Sequence, residues 1–259
     1  MRVVVVATRR SRYRVAMTTS TRSSQETPDV TVRRVTSASD AAIEAFGELQ
    51  NRVYFEPDAL IPARYIGFML QGRGGERENF LIVAERAGRV VGGTLFHFLG
   101  AADTGFSSFM AVAPEARGAG VARALHDARF AALREASATI RGVFIDVVAP
   151  ERLGDEERAA EARVGMDPRA RRAIFARLGF RRVDVRYEQP VGGEDGGPVT
   201  NMDLLFCPAE PAEEVDVELV VATMRAYWSP WLGAPAAERH ADELRRRAEG
   251  RSRFMLSTP

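Results

Sequence analysis

Residues 108–122 combine residue types that can bind an anion. Gly118 and Gly120 leave the backbone bare, so that consecutive N–H groups can face a single anion. A predicted helix follows at once, and its N-terminus adds roughly half a positive charge. Arg117 can add a charge-assisted hydrogen bond to a phosphate oxygen. The segment therefore predicts a pyrophosphate site, and the alternative is a turn that uses glycine only for steric reasons.

Two known nucleotide-binding patterns fit this segment poorly. A P-loop ends in Gly-Lys-Ser/Thr, whereas all 36 basic residues of this chain are arginine. A Rossmann turn places its glycines directly after the strand, but here residues 114–116 intervene and Arg123 occupies the position of the third glycine. Asp146 lies at the spacing expected for the ribose-binding acid of a Rossmann fold, but it falls within a predicted strand rather than at its end. Both patterns are therefore disfavoured.

The elements that position this segment follow a regular order. Apolar periodicity predicts, along the chain, a strand at 30–35, helices at 40–53 and 59–70, strands at 80–84, 90–98 and 106–112, a helix from 121, a strand at 143–148, a helix at 168–178 and strands at 183–187 and 202–206. Early hairpins followed by βαβ units predict a mixed α/β sheet in one domain, residues 30–208.

The two ends of the chain differ from this domain. Residues 18–28 are mostly polar and have no apolar period, so residues 1–29 are predicted to be a disordered leader, with Met1 and Met17 as alternative starts. Residues 209–259 are predicted to be a helical C-terminal extension that packs on the domain or makes a homodimer contact. Its Tyr227, Trp228 and Trp231 fit either an acceptor pocket or ordinary packing.

Composition excludes several classes of protein. The net charge of +1 argues against a dedicated nucleic-acid binder, and the single cysteine excludes a disulfide framework. The three histidines lack the spacing of metal ligands, so no metal is predicted. No apolar run approaches the ~18 residues of a membrane-spanning helix. We therefore expect a cytoplasmic protein with no membrane or nucleic-acid partner.

Two motifs carry a family resemblance. Residues 117–122, Arg-Gly-Ala-Gly-Val-Ala, fit the pattern Arg/Gln-x-x-Gly-x-Gly/Ala, and residues 174–180 end a predicted helix with Leu-Gly-Phe. In this order and context they resemble the GNAT superfamily of acyl-CoA-dependent N-acyltransferases. The resemblance covers about residues 30–208. It implies a GNAT-like fold of the α/β (α+β) class, a mostly antiparallel six- to seven-stranded sheet flanked by helices.

The resemblance also implies an activity. An acetyl or short acyl group would pass from acetyl-CoA to a primary amine of a small molecule or peptide, by direct attack in a ternary complex. The residues implied to bind the cofactor are Met110, Ala111 and Val112 for the pantetheine arm and the thioester carbonyl, Arg117, Gly118, Ala119, Gly120, Val121 and Ala122 for the pyrophosphate, and Phe175 as a lining residue. The alternatives are a catalytically silent acyl-CoA-binding regulatory module and a structural α/β domain.

The chain departs from the family pattern at the acid and at the base. Many members carry a tyrosine where this chain has Phe175, and Tyr187 in the next predicted strand is the nearest replacement as a proton donor. The fourth strand, residues 105–109, lacks the base glutamate of histone-modifying relatives. The candidate bases elsewhere are Glu56, Asp146, Glu151 and His97. Tyr187 and Glu151 are taken as the catalytic candidates.

Overall fold

A computed structural model describes residues 4–8, 12–16, 30–54, 60–72, 76–163, 166–191 and 197–259, the first two ranges as backbone only. The strands are β1 (Val4–Thr8), β2 (Arg12–Ala16), β3 (Val30–Val35), β4 (Arg77–Arg86), β5 (Arg89–Leu99), β6 (Thr104–Val112), β7 (Gly142–Val148), β8 (Arg181–Val183), β9 (Met202–Pro208), β10 (Glu214–Asp216) and β11 (Arg253–Ser257). The helices are α1 (Ala42–Val53), α2 (Ala63–Met69), α3 (Val121–Ala136), α4 (Asp155–Arg163), α5 (Pro168–Arg177), α6 (Val217–Leu232) and α7 (Ala234–Arg246). No helix in these ranges is both long and apolar enough to cross a membrane.

The chain forms two compact units. Unit 1 comprises residues 1–73, 79–96 and 109–132, and unit 2 comprises residues 74–78, 97–108 and 133–259. The strand order is β1-β2-β3-β4-β5-β6 in unit 1 and β6-β7-β9-β8-β11-β10 in unit 2. Strands β4, β5 and β6 contribute residues to both units.

Unit 1 is built on antiparallel pairs and one amphipathic helix. Strand β3 pairs with β4 from Val30 opposite Arg86 to Val35 opposite Leu81. Helix α1 buries Phe46 with its other apolar side chains because these recur at helical spacing. Gly93 lets Phe46 approach the sheet, since a Cβ at Gly93 would lie 2.5 Å from the phenyl ring. The helix is thereby fixed directly against β5.

Unit 2 combines one parallel pair with antiparallel ones. Strand β6 pairs in parallel with β7 at Gly105 opposite Val143 and at Phe106 opposite Phe144. Strand β7 then runs antiparallel to β9, which also pairs with β8. Helix α6 packs its apolar side chains into the same hydrophobic core as these strands, with Trp228 only 1 % exposed. The C-terminal segment is thus part of the core of unit 2.

The predicted class and order of elements are confirmed, and four details differ. The described chain has eleven strands, seven of which lie within residues 30–208. Strands β1 and β2 fall within the predicted disordered leader, and β10 and β11 fall within the predicted helical extension. Strand β8 ends at Val183 rather than beginning there, and α4 was not predicted.

Candidate functional site

The glycine turn, residues 117–122, has the backbone geometry of an anion cradle. Gly118 and Gly120 adopt φ angles of 78° and 79°, a left-handed conformation that side chains disfavour. Both glycines are exposed, and a Cβ at Gly118 would have no atom within 4 Å. The space beside the turn is therefore open, and glycine is required there by backbone conformation.

The helix that follows the turn points backbone N–H groups out of its N-terminus. Its first intrahelical hydrogen bond runs from the N–H of Ala124 to the oxygen of Gly120, at 3.0 Å. Helix geometry therefore directs the N–H groups of Val121 and Ala122 out of the N-terminus of α3, because neither has an intrahelical acceptor. These groups and the positive end of the α3 dipole fit a pyrophosphate.

The end of β6 has one backbone edge that is already bonded. The N–H of Ala113 donates to the oxygen of Val91 in β5 at 2.9 Å. Because successive residues of a strand direct their backbone groups to opposite sides, those of Ala111 also face β5 and those of Met110 face away from it. The hydroxyl of Tyr54 donates to the oxygen of Met110 at 3.0 Å and accepts from its N–H at 3.2 Å. Of the residues predicted to bind the pantetheine arm, Met110 is thus bonded to Tyr54, and Ala111 faces β5.

In unit 2 a carboxylate cluster gathers Asp146, Tyr187, Gln189 and Trp228. The hydroxyl of Tyr187 lies 3.2 Å from Asp146 Oδ2 and also contacts Gln189 Oε1, so its proton can go to either acceptor. The indole N–H of Trp228 donates to Gln189 Oε1 at 3.2 Å. Tyr187 is fully buried, whereas Asp146 keeps partial exposure. Gln189 is partly exposed as well, so Asp146 is the ionisable member of the cluster that can reach a substrate.

Burial sets the proton affinities of this cluster. Burial raises the pKa of Asp146 to about 6, although the hydrogen bond from Tyr187 opposes the rise. Burial, assisted by the charge of Asp146, raises the pKa of Tyr187 well above its ordinary value. Near neutral pH the cluster therefore holds a carboxylate with a raised proton affinity and a protonated phenol. That pairing suits general-base chemistry.

A second polar group in unit 2, the hydroxyl chain, consists of His97, Ser108 and Tyr227. His97 Nε2 lies 2.7 Å from Ser108 Oγ, and Ser108 Oγ lies 3.2 Å from the hydroxyl of Tyr227. Burial, followed by the charge of Arg77, lowers the pKa of His97 well below its ordinary value, so the imidazole is neutral. Ser108 and Tyr227 are both half-buried. The hydroxyl chain thus connects the buried imidazole of His97 to Tyr227, which is partly exposed.

Other predicted site residues lie in different surroundings. Glu151 accepts from Arg172 Nη1 at 2.9 Å and 2.7 Å, and Arg172 also pairs with the buried Asp203 at 3.0 Å. The pKa of Glu151 is lowered, because its backbone hydrogen bond and Arg172 outweigh its desolvation. Phe175 is buried with its ring edge-on to Phe180 at 5.5 Å. The candidate base at position 56 lies outside the described residues.

Sequence reasoning missed two members of these groups. Ser108 and Gln189 carry no motif, and their partners come from segments distant along the chain, Tyr227 and Trp228. The aromatic pair in the last fifty residues was the available signal. Within the ranges that the structure describes, no three potential metal ligands come together.

A family comparison agrees with the motifs. Residues 77–182 match the family model of the acetyltransferase (GNAT) domain. This part of the chain is therefore similar to a GNAT domain. The match includes the glycine turn, Ser108 and Asp146, and it ends before Tyr187 and the C-terminal helices. The match supports acyltransferase activity in general terms.

Solved structures share the fold at low sequence identity. A GNAT-family protein from Bacteroides thetaiotaomicron is 14% identical, with 78% of this chain and 98% of that chain covered and a TM-score of 0.51. A GNAT-family protein from Desulfovibrio desulfuricans is 16% identical over 71% and 99%, with a TM-score of 0.47. The ribosomal-protein-S18-alanine N-acetyltransferase from Escherichia coli is 14% identical over 71% and 96%, with a TM-score of 0.45. The first comparison supports the fold, and no argument rests on the other two. No curated protein matches the chain.

Proposed function

We propose that the protein is an N-acyltransferase that moves an acetyl or short acyl group from acyl-CoA to a primary amine. The observation that carries the proposal is the glycine turn, where two left-handed glycines precede the N-terminus of α3. When bound, acyl-CoA supplies an acyl group activated as a thioester. All other steps belong to residues of this chain.

The residues that hold the donor follow from their backbone geometry. The N–H groups of Gly118, Ala119, Gly120, Val121 and Ala122 bind the pyrophosphate, and Arg117 adds the charge of its guanidinium. The backbone N–H of Arg117 takes no part, because it donates to the oxygen of Pro114 at 3.2 Å. Met110 offers one N–H and one carbonyl on the edge that faces away from β5, which suits the amides of a pantetheine arm and the thioester carbonyl. This role requires the Tyr54 hydroxyl to give up its bonds to Met110. Val112 extends the same edge, and Phe175 as a lining residue stays a prediction.

Asp146 is the general base in this proposal. Its carboxylate takes a proton from the attacking amine, and a pKa of about 6 keeps it mostly ionised at pH 7 while retaining proton affinity. Tyr187 serves as a positioning residue, because its fully buried hydroxyl contacts the carboxylate. Glu151 is assigned no proton transfer, since Arg172 holds it in an ion pair.

The acceptor is proposed only as a class, an amine of a small molecule or peptide. Acetyl is the proposed acyl group because it is the group that the family model names. A homodimer and a cytoplasmic location stay predictions from the sequence. A binding module without turnover is the second candidate, and Phe175 at the usual tyrosine position and the Tyr54–Met110 bonds favour it.

The test is calorimetric titration with acetyl-CoA, then thiol release in the presence of a panel of amines. Thiol release can be read with a disulfide reagent at low background, because the single cysteine, Cys207, is buried. Saturable binding with amine-dependent thiol release supports the acyltransferase. Binding without turnover supports the silent module. A folded protein that does not bind acetyl-CoA overturns both.

A further inference from the structure

Helix α6 is fitted to β6 by three successive contacts. Thr104, Phe106 and Ser108 alternate onto one face of β6, and Thr223 and Tyr227 are one turn apart on α6. The hydroxyls of Thr104 and Thr223 lie 2.9 Å apart, and the rings of Phe106 and Tyr227 stack at 3.7 Å. Ser108 then meets the hydroxyl of Tyr227. The two-residue alternation of β6 and the one-turn spacing of Thr223 and Tyr227 on α6 together fix the position of Tyr227.

Arg77 replaces a backbone hydrogen bond that Pro230 removes from α6. Pro230 has no N–H, so the carbonyl of Ala226 lacks its helical donor. Arg77 Nη1 lies 3.5 Å from the oxygen of Ala226 and donates to the oxygen of Tyr227 at 3.0 Å. Its guanidinium carbon is 5.7 Å from the ring centroid of Tyr227. Arg77 therefore holds the turn of α6 that carries Tyr227.

The hydrogen bonds of the hydroxyl chain can run from His97 to Tyr227, and in that direction the Tyr227 hydroxyl keeps its proton for donation. In a neutral His97 with its proton on Nε2, that N–H donates to Ser108 and Ser108 donates to Tyr227, which leaves the Tyr227 proton for a further acceptor. Burial, with the charge of Asp146, raises the pKa of Tyr227, so the phenol stays protonated. Tyr227 keeps partial exposure, whereas Tyr187 is fully buried and bonded within the carboxylate cluster. Tyr227 is therefore the better placed of the two phenols to reach a substrate.

We propose that Tyr227, outside the matched GNAT domain, is a catalytic residue that donates its proton to the departing thiolate, and that Arg77 is the residue that positions it. The inference rests on the proposed acyl transfer. As the amine nitrogen bonds to the carbonyl carbon, the carbon–sulfur bond breaks and the thiolate takes the Tyr227 proton. Asp146 takes the proton of the amine, and that proton returns through water to the tyrosinate. Amine and thioester thus become amide and thiol with no other reactant.

The first test replaces the phenol. Tyr227→Phe should lower kcat about 100-fold and leave the KM for acetyl-CoA within about threefold. Tyr65→Phe, at a tyrosine that is 53% exposed in α2, is the matched control and should leave kcat unchanged. With small thioester donors, the loss should be large for ethyl thioacetate and small for phenyl thioacetate, whose thiolate leaves without a proton. An equal loss with both donors would overturn the acid role.

The second test separates positioning from general stability. Arg77→Met should lower kcat about tenfold, because the Ala226 and Tyr227 carbonyls lose their donor. Pro230→Ala restores an N–H to Ala226, so the double variant should recover to within about threefold of Pro230→Ala alone. Arg225 lies on α6 like Pro230, and Arg225→Met removes only an exposed ion pair with Glu238 of α7, so it should show no such coupling. Additive losses of Arg77→Met and Pro230→Ala would overturn the positioning role.

The two proposals can fail separately. Wild-type protein that does not bind acetyl-CoA refutes the proposed function. Binding and turnover by the wild type, together with a Tyr227→Phe variant of unchanged kcat, refutes only the role of Tyr227. Binding without turnover refutes that role too. The coupling between Arg77 and Pro230 can then still be measured by hydrogen exchange of the amides of residues 226–229 and 231.

Discussion

The glycine turn in unit 1 consists of six consecutive residues, whereas the carboxylate cluster in unit 2 takes its members from β7, from the segment after β8 and from α6. The turn works through backbone N–H groups, and its side chains matter little apart from Arg117. The cluster works through side chains whose pKa values depend on burial. Changes in the turn should therefore act on binding, and changes in the cluster should act on rate and its pH dependence.

The largest effect is expected at the base. Asp146→Asn keeps the size of the side chain and an acceptor for Tyr187 but cannot take a proton, so kcat should fall about 1000-fold. In the wild type, kcat should rise with pH through about 6, because the carboxylate must be ionised to act. The pH–rate profile of the variant should lack this rise. Unchanged acetyl-CoA affinity by calorimetry is the control, and an unaltered profile would exclude Asp146 as the base.

The next effect is expected in the turn. Gly120→Val forces a branched side chain into a backbone with φ of 79°, which should weaken acetyl-CoA binding about 100-fold through lost charge-assisted bonds. Gly88→Val is the matched control, because Gly88 has a φ of 74° and open space in the β4–β5 hairpin. Calorimetry should show normal affinity for the control. Equal losses in both variants would assign the effect to general backbone strain.

A smaller effect is expected from the buried phenol of the cluster. Tyr187→Phe removes the hydrogen bond that opposes the rise in the Asp146 pKa, so that pKa should move above 6. The rising limb of the pH–rate profile should shift to higher pH, and kcat at pH 7 should fall about tenfold. Full activity at pH 9 would distinguish this effect from a damaged fold. A limb that stays in place would argue that Tyr187 does not tune Asp146.

The smallest effect is expected at Glu151. Its carboxylate is more than half exposed and paired with Arg172, and such surface pairs contribute little. Glu151→Gln should therefore change kcat and the acetyl-CoA affinity by less than about twofold. Steady-state rates across pH 5–9 check this. A tenfold loss of kcat would return Glu151 to the list of catalytic candidates.

A region can be predicted well from the sequence when its contacts join residues that are close along the chain. The turn depends on local spacing, so Gly118, Gly120 and the start of α3 could be identified from the sequence. Asp146 was noted as one of several possible bases, but nothing local ranks it above Glu151. Its raised pKa comes from burial, and the Arg172 partner of Glu151 comes from a helix twenty-one residues away.

The same reasoning applies to the fold. The order of the elements within residues 30–208 was predictable because each has its own apolar period. Strands β10 and β11 are three and five residues long, and β11 exists through its pairing with β8 and β10. The place of α6 in the core depends on packing against residues more than a hundred positions earlier. Such long-range contacts leave no local pattern.

The interleaved arrangement of unit 2 has a consequence for biosynthesis. Unit 1 ends at residue 132, so its whole sequence is made before β7 is translated. At about 5–20 residues per second, the last residue of α6, Leu232, is added roughly 5–20 s later. During this interval the β6 face of Thr104, Phe106 and Ser108 lacks the helix that covers it. The nascent chain therefore displays this aromatic face to chaperones before the last segment arrives.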